Sequence, residues 1–201
     1  MDPHHLVGLT ISRAGDPVYG GDIYYDFAGL SHATDLLEPV AYGYRSRDSV
    51  NQAVFAIQYA RAVAPALPFF FSEFSKNQWS EPLGADSRAE ARCGVRVYKR
   101  FLSSILATDA NGVIFWWFPG GFRTVENSDY GIISPDGSWR PVTYVIHDFA
   151  ARMKAPRPLP TPGVWIPIRR DYLRGARGAY LSVKRKFRAA LEVGPGVLGT
   201  V

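Results

Sequence analysis

The hydrophobic and polar positions follow two different periods along the chain, so segments typical of strands alternate with segments typical of helices. The strand-like segments cover residues 5–12, 35–42, 68–74 and 112–118. Residues 68–74, PFFFSEF, are apolar without alternation, as in a strand that is buried on both faces. Pro39 interrupts residues 35–42 and predicts a bulge or the end of that strand.

A helical pattern follows each predicted strand. The helices are expected over about residues 26–34, 49–64, 88–106 and 141–153. Ser87 and Glu90 form a capping box at the start of the third helix. Pro141 stands in the first turn of the fourth helix, where a missing backbone N–H costs nothing. The pattern is therefore a strand followed by a helix, four times over.

This order predicts an α/β fold with a parallel sheet and right-handed crossovers. Two architectures fit it: an open four-stranded sheet, and parallel (β/α) units that form half of a (β/α)8 barrel, or TIM barrel. No glycine-rich phosphate loop follows any predicted strand, which weakens a nucleotide-binding open sheet. The loops after the strands differ greatly in length and carry polar and aromatic residues, which favours the half-barrel.

The last part of the chain has a different composition. The expected division is a barrel-like part over residues 1–154, a proline-rich linker over 155–163 and a basic strand–helix extension over 164–201. Residues 1–168 carry 15 Lys and Arg against 16 Asp and Glu, whereas residues 169–201 carry 8 against 2. The basic residues alternate with apolar ones at helical spacing over about residues 179–192, so they are predicted to form the solvated face of a helix. A nucleic-acid partner is therefore not expected.

Composition narrows the class of protein. Of the 201 residues 14% are aromatic, and sugar-binding clefts are one place where surplus Trp and Tyr occur. A single cysteine, Cys93, excludes an intrachain disulfide framework and a cysteine-rich zinc site. His4 and His5 are neighbours on a predicted strand and point apart, so no metal site is predicted, and no cofactor is expected. No apolar run approaches the ~20 residues of a membrane span, and residues 1–5 lack the features of a signal peptide.

Glu73 is the first candidate for chemistry, because it stands at the end of an apolar strand, where an unpaired carboxylate is costly. Tyr42 ends the preceding strand. Since the carboxyl ends of parallel strands meet at one edge of a sheet, the Tyr42 hydroxyl could reach the Glu73 carboxylate. The alternatives are a salt bridge or a helix cap for Glu73 and ordinary packing for Tyr42.

Trp116 and Trp117 end the fourth predicted strand. Neighbours on a strand point to opposite faces, so one indole is expected at the mouth of the sheet and the other in the outer packing. An indole face suits the apolar C–H surface of a sugar ring, and two core tryptophans are the alternative. The loop over residues 123–137 is expected either to be simply solvated or to bind sugar hydroxyls through Glu126, Asn127, Asp129 and Tyr130.

Together these segments resemble the clan A glycoside hydrolases, the retaining (β/α)8 enzymes that include the family 5 cellulases and mannanases. Residues 70–74, FFSEF, are similar to the nucleophile motif of strand seven, and residues 112–117, GVIFWW, to the tryptophan motif of strand eight. Residues 127–137 look like the loop that leads into the last helix, and residues 38–42 stand where the strand-six tyrosine is found. The resemblance covers about residues 4–153.

The resemblance implies roles for the candidate residues. Glu73 would be the nucleophile, Tyr42 would hydrogen-bond to it, and Trp116 or Trp117 would form the floor under the cleaved sugar. The family's mechanism also needs a second carboxylate, a general acid/base about 5 Å from the nucleophile. In the family this residue follows an Asn at the end of strand four.

The acid/base is where the chain departs from the family pattern. No Asn-Glu pair precedes Glu73, and Glu38 follows Leu37 where the family has Asn. The resemblance therefore implies the C-terminal half of a barrel without its general acid/base, an oligo- or polysaccharide substrate, and the missing N-terminal half-barrel as a partner. We expect a retaining glycoside hydrolase whose 201-residue chain is inactive alone. A non-catalytic carbohydrate-binding half-barrel is the alternative.

Overall fold

The computed structural model describes most of the chain. The described residues are 4–11, 26–42, 47–108, 110–155, 158, 163–169, 175–193 and 196–200. Most of the predicted linker over residues 155–163 lies outside them, so the linker stays a prediction.

The elements follow in chain order as strands and helices. The strands are β1 (Gly8–Ile11), β2 (Leu36–Ala41), β3 (Phe70–Phe74), β4 (Trp79–Ser80), β5 (Ala85–Asp86), β6 (Gly112–Phe115), β7 (Val164–Ile168) and β8 (Gly196–Thr200). The helices are α1 (Phe27–Leu30), α2 (Arg47–Val63), α3 (Arg88–Leu106), α4 (Pro141–Lys154) and α5 (Gly175–Val193). The four predicted strands are β1, β2, β3 and β6, and the four predicted helices are α1 to α4.

Strands β1, β2, β3 and β6 form one parallel sheet in that spatial order. Val40 lies opposite Glu73, and Phe70 lies opposite Gly112. A helix follows each strand, which confirms the βα units that the sequence pattern predicts. The carboxyl ends of the four strands therefore meet at one edge of the sheet, where the polar loops begin.

Strand β6 is shorter than predicted, because it ends at Phe115 and not at residue 118. The pairing of β3 with β6 is irregular between Phe71 and Phe74. The backbone N–H of Trp116 still donates to the Phe74 carbonyl, but the Trp117 carbonyl accepts from the returning loop and not from a strand. Both tryptophans thus lie beyond the last residue of the strand.

The core lies between the sheet and helices on one of its faces. Phe69, just before β3, and Phe74 are fully buried, and their rings contact Phe27 of α1 at 6.1 Å and Phe101 of α3 at 3.7 Å. On the other face, the side chain of Ile114 is 57% exposed. A barrel needs helices on one face only, because side chains fill its interior. This packing favours the half-barrel over an open sheet covered on both faces.

The extension is a strand–helix–strand unit in which β7 and β8 pair in parallel. Strand β8 was not predicted from the sequence, because two of its five residues, GVLGT, are glycines, which weaken the strand propensity. Tyr180 and Phe187 of α5 pack on Phe55 of α2, each with ring centroids 5.2 Å apart. The basic face of α5 is solvated as predicted, and its exposed residues include Arg185, Lys186 and Arg188.

A buried ion pair holds the loop between β6 and α4. Asp129 is 3% exposed and Arg140 is 5% exposed. Two hydrogen bonds, of 2.9 and 2.6 Å, join the Arg140 guanidinium to the two oxygens of the Asp129 carboxylate. The backbone N–H groups of Gly121 and Gly131 donate to the same carboxylate at 2.9 Å. One carboxylate therefore fixes three separate points of the loop.

The same pair ties this loop to the loop that follows β3. Arg140 also contacts Asp86 of β5 at 2.7 Å. The side-chain carbonyl of Asn77 accepts from the backbone N–H of Asp129 at 2.9 Å, and the backbone N–H of Gln78 donates to the Asp129 carbonyl at 2.7 Å. The two loops at the carboxyl edge of the sheet are thus joined into one hydrogen-bonded unit.

Replacing Phe101 with Ala is expected to lower the free energy of unfolding by about 3–5 kcal/mol, because the ring is fully buried and stacks on Phe74. Ile114→Ala is the matched control and should cost less than about 1 kcal/mol, because its side chain lies on the uncovered face of the sheet. Urea titrations followed by circular dichroism measure both. Equal losses at the two sites would contradict the one-sided core.

Asp129→Asn is expected to lower the free energy of unfolding by about 3 kcal/mol, since it leaves the Arg140 charge buried without its carboxylate. Burial acts to raise the pKa of Asp129, but hydrogen bonds from Arg140, Gly131 and Gly121 hold this pKa below its ordinary value. The stabilisation is therefore complete above about pH 4, the pKa range of an unfolded Asp, and is lost as the pH falls further.

Asp129→Asn should consequently reduce the decline in the free energy of unfolding below about pH 4, because the substituted side chain does not titrate. Asp148→Asn is the control, because that side chain is 77% exposed and far less constrained. Thermal unfolding is measured from acid to neutral pH for the unsubstituted chain and for the two variants. If Asp129→Asn and Asp148→Asn shift the midpoint equally, the buried pair does not hold the loops.

Candidate active site

Glu73 and Tyr42 meet at the carboxyl edge of the sheet. The Tyr42 hydroxyl donates a hydrogen bond of 2.8 Å to Oε2 of Glu73, as their places at the ends of β2 and β3 predict. Burial, and then the hydrogen bond to Glu73, raise the pKa of Tyr42 far above its ordinary value. The hydroxyl therefore stays protonated at ordinary pH and remains a donor to the carboxylate. Glu73 itself is half-buried.

The apolar neighbours of Glu73 do not surround its carboxylate. Phe71 and Phe74 are buried, and both rings contact Phe101 in the helix layer. These rings pack into the helix layer and do not cover the Glu73 carboxylate, which stays half-buried. Tyr42 is the hydrogen-bond partner of Glu73. Its place at the end of an apolar strand predicts a carboxylate that is either used or paired, and the structure shows a paired one that is still open to solvent.

Two of the predicted loop residues lie near Tyr42. The Tyr130 ring centroid is 5.8 Å from that of Tyr42, and the Ser75 hydroxyl donates to the Tyr130 carbonyl at 2.9 Å. The negative charge of Glu126 contributes to the raised pKa of Tyr42. Asn127, with a positive φ of 47°, is exposed in the same turn. The structure thus brings Tyr130 and Glu126 towards the Glu73–Tyr42 pair and leaves Asn127 at the surface.

The two tryptophans do not point apart, contrary to the prediction. The ring centroids of Trp116 and Trp117 are 5.8 Å apart, and the Arg123 guanidinium carbon lies 5.5 and 4.4 Å from them. The alternation of a strand does not apply here, because β6 ends at Phe115. The peptide bond between the two residues is cis. The two indoles and the guanidinium form one cluster.

Arg123 was not predicted from the sequence, since a single arginine in a loop carries no signal of its own. Its guanidinium forms an ion pair of 2.7 Å with Glu126. The Ser128 hydroxyl donates to the same carboxylate at 3.2 Å. Glu126 is therefore paired with Arg123, and the positive charge of Arg123 offsets its negative charge at the cleft.

Asp129 is not placed to bind a sugar hydroxyl, contrary to the prediction. It is 3% exposed, and both of its oxygens accept hydrogen bonds from Arg140 and from the loop backbone. The sequence carries no signal for this role as a loop anchor, because Arg140 lies eleven residues further along the chain. We therefore leave it out of the substrate site.

Glu38 is not positioned as a second carboxylate for Glu73. Val40 is the residue opposite Glu73, so Glu38 lies two residues deeper along β2. Its carboxyl oxygen occupies the space that a Cβ at Gly8 would need, so the side chain leans towards β1. Since β1 and β3 lie on opposite sides of β2, this direction leads away from Glu73. Burial raises the pKa of Glu38.

Within the described part of the chain, no three His, Cys, Asp or Glu side chains come together in a way that could hold a metal ion. None of the described helices is long and apolar enough to cross a membrane.

No protein-family model matches the sequence, and no curated protein matches it either. The structure, in contrast, is similar to solved glycoside hydrolases of the group GH5_18. The enzyme from Streptomyces cattleya, in complex with GlcNAc, gives a TM-score of 0.70 at 15% sequence identity, over 99% of this chain and 51% of that one. The enzyme from Bifidobacterium longum subsp. infantis gives a TM-score of 0.62 at 15% identity, over 83% and 43%.

A third GH5_18 structure, from Bifidobacterium longum subsp. longum ATCC 55813, gives a TM-score of 0.65 at 12% identity, over 85% of this chain and 45% of that one. The chain thus spans about half the length of these neighbours. Identities this low show the fold alone. The predicted resemblance to clan A is confirmed at that level, and the chain has the fold of half of a family 5 glycoside hydrolase barrel.

Proposed function

We propose that this chain contributes the nucleophile half of a retaining glycoside hydrolase that cleaves O-glycosidic bonds in an oligo- or polysaccharide. The observation that carries the proposal is the 2.8 Å hydrogen bond from Tyr42 to Glu73 at the carboxyl edge of a parallel sheet. Active sites of (β/α)8 enzymes lie at this edge. The glycosidase-like fold supports the same reading, as do the indoles of Trp116 and Trp117, which follow the end of β6 at the same edge of the sheet.

In the proposed reaction Glu73 is the nucleophile. One carboxylate oxygen attacks the anomeric carbon, the bond from that carbon to the leaving oxygen breaks, and a glycosyl ester on Glu73 results. Tyr42 holds the other oxygen, Oε2, and thereby orients the carboxylate for the attack. The acid/base group then takes a proton from a water molecule, whose oxygen attacks the anomeric carbon. The bond from that carbon to Glu73 breaks, so the sugar leaves with its original anomeric configuration and Glu73 returns to a carboxylate.

The leaving oxygen must receive a proton, and we propose that the group that supplies it lies on an N-terminal half-barrel. A retaining pair needs two carboxyl groups about 5 Å apart. Among the described residues Glu38 leans away from Glu73, and Glu126 is paired with Arg123. The N-terminal half, as part of a longer chain or as a partner, would also cover the open face of the sheet.

The GH5_18 neighbours were solved with GlcNAc and with Manb1-4GlcNAc. For this chain we propose a β-linked sugar as the glycosyl donor. The alternative is a carbohydrate-binding half-barrel without turnover. The direction of Glu38, which leans away from Glu73, and the pairing of Glu126 with Arg123 favour it for the chain taken alone.

The 201-residue chain, mixed with 2,4-dinitrophenyl β-mannoside or β-glucoside, is expected to release at most one equivalent of dinitrophenol and then to stall. This leaving group needs no proton, but the ester on Glu73 has no base to activate water, and such help is worth about 10²–10⁴-fold. Stopped-flow absorbance measures the burst of dinitrophenol, and peptide mass spectrometry identifies the labelled residue. The label should be on Glu73.

Glu73→Gln should abolish the burst, and Glu38→Gln should leave it intact as the matched control. Sustained turnover that is lost in both variants would show that Glu38 is the acid/base. A label on another residue, or a burst that survives in Glu73→Gln, would refute the nucleophile assignment.

Tyr42→Phe is expected to slow the burst roughly tenfold, because a hydrogen bond to a charged group is worth about 1.5–3 kcal/mol and the Phe ring keeps the packing. The label should still be found on Glu73, since Tyr42 only orients it. Tyr144→Phe, on a 57% exposed side chain, should leave the rate unchanged. Equal burst rates in the Tyr42→Phe and unsubstituted chains would contradict the proposal that Tyr42 positions Glu73.

A further inference from the structure

A second aromatic group lies at the carboxyl edge of the sheet, apart from Trp116 and Trp117. The rings of Trp79 and Phe122 pack with centroids 4.1 Å apart and planes at 33°. Trp79 comes from the loop after β3, and Phe122 comes from the loop after β6. Phe122 is 42% exposed and Trp79 is partly exposed. Neither ring was among the residues predicted from the sequence.

The backbone of Trp79 is held by contacts that do not involve its ring. The Trp79 N–H donates to the Asn77 side chain at 3.0 Å, and Trp79 lies opposite Asp86 in the β4–β5 ribbon. Asp86 is in turn held by Arg140. The two loops are therefore also joined by hydrogen bonds that do not involve the indole, and this large apolar side chain stays partly in water.

The pair is linked to the cluster around Trp117 through the chain. Arg123 follows Phe122 in the chain, and its guanidinium carbon lies 4.4 Å from the Trp117 ring centroid. Because Arg123 is paired with Glu126, the surface offers donors and acceptors without a net charge. Aromatic faces beside hydrogen-bond donors and acceptors without a net charge suit a pyranose. Its C–H face can stack on an aromatic ring, and its hydroxyls can form hydrogen bonds.

We propose that Trp79 and Phe122 form a sugar-binding platform for a neutral pyranose of the substrate, next to but distinct from the position at Glu73. The choice of a sugar as the ligand rests on the proposed function; the platform itself needs no catalysis. An oligosaccharide would rest on the platform and on the Trp116–Trp117 cluster together, whereas a monosaccharide reaches only one of them. Longer ligands therefore bind more tightly.

Isothermal titration calorimetry of the full chain with β-1,4-linked mannotetraose, and separately with cellotetraose, tests this directly. At least one tetrasaccharide should bind, and more tightly than mannose or glucose. Trp79→Ala and Phe122→Ala should each weaken that binding roughly tenfold, the loss of one stacking face. Trp79→Phe, which keeps a face, should recover most of it. Trp165→Ala is the matched control, because it removes a 68% exposed indole elsewhere.

Labelling by the dinitrophenyl monosaccharide separates this proposal from the catalytic one. Trp79→Ala should leave the labelling rate unchanged, because a monosaccharide at Glu73 does not reach the platform. If no chain is labelled, the catalytic proposal fails while the calorimetry still decides the platform. The platform is refuted if neither tetrasaccharide binds, if Trp165→Ala weakens binding as much as Trp79→Ala, or if tetragalacturonate binds more tightly than the neutral sugars.

Discussion

The arrangement of the carboxyl edge depends on the buried ion pair between Asp129 and Arg140. A β-sheet fixes Glu73 and Tyr42 through its own hydrogen bonds, but the loops beyond the strands have no such ladder. The Asp129 carboxylate takes the place of a ladder, because its oxygens accept four hydrogen bonds from the Arg140 guanidinium and the loop backbone. The indoles, Arg123 and the β4–β5 ribbon all depend on loops held in this way.

The fold could be predicted because each level of the sequence agrees with the others. Apolar segments of strand length, a capping box at Ser87 and a proline at the first turn of α4 all specify the same order of strands and helices. The hydrogen bond between Tyr42 and Glu73 follows from the same logic, since neighbouring parallel strands end at one edge. These features are local or follow directly from strand pairing.

The features that could not be predicted arise where the periodic structure stops. Strand alternation predicts opposite directions for Trp116 and Trp117, but β6 has already ended and the two rings lie together. Asp129 has the polarity of a sugar ligand, and only the three-dimensional path of its loop brings Arg140 to it. Strand β8 contains two glycines among its five residues, which weakens the pattern that marks a strand. In these cases the end of a strand, or a contact distant in sequence, overrides the local pattern.

The one-sided core also determines how the sheet meets water. Within the described residues, β1 pairs only with β2 and β6 pairs only with β3. Among these residues, the outer backbone N–H and C=O groups of β1 and β6 form no strand ladder, next to an apolar face that includes Ile114. A closed barrel has no such edges. Any polypeptide that completed the sheet would add strand ladders at both ends, so closure would remove the edges along which copies of the chain could otherwise aggregate.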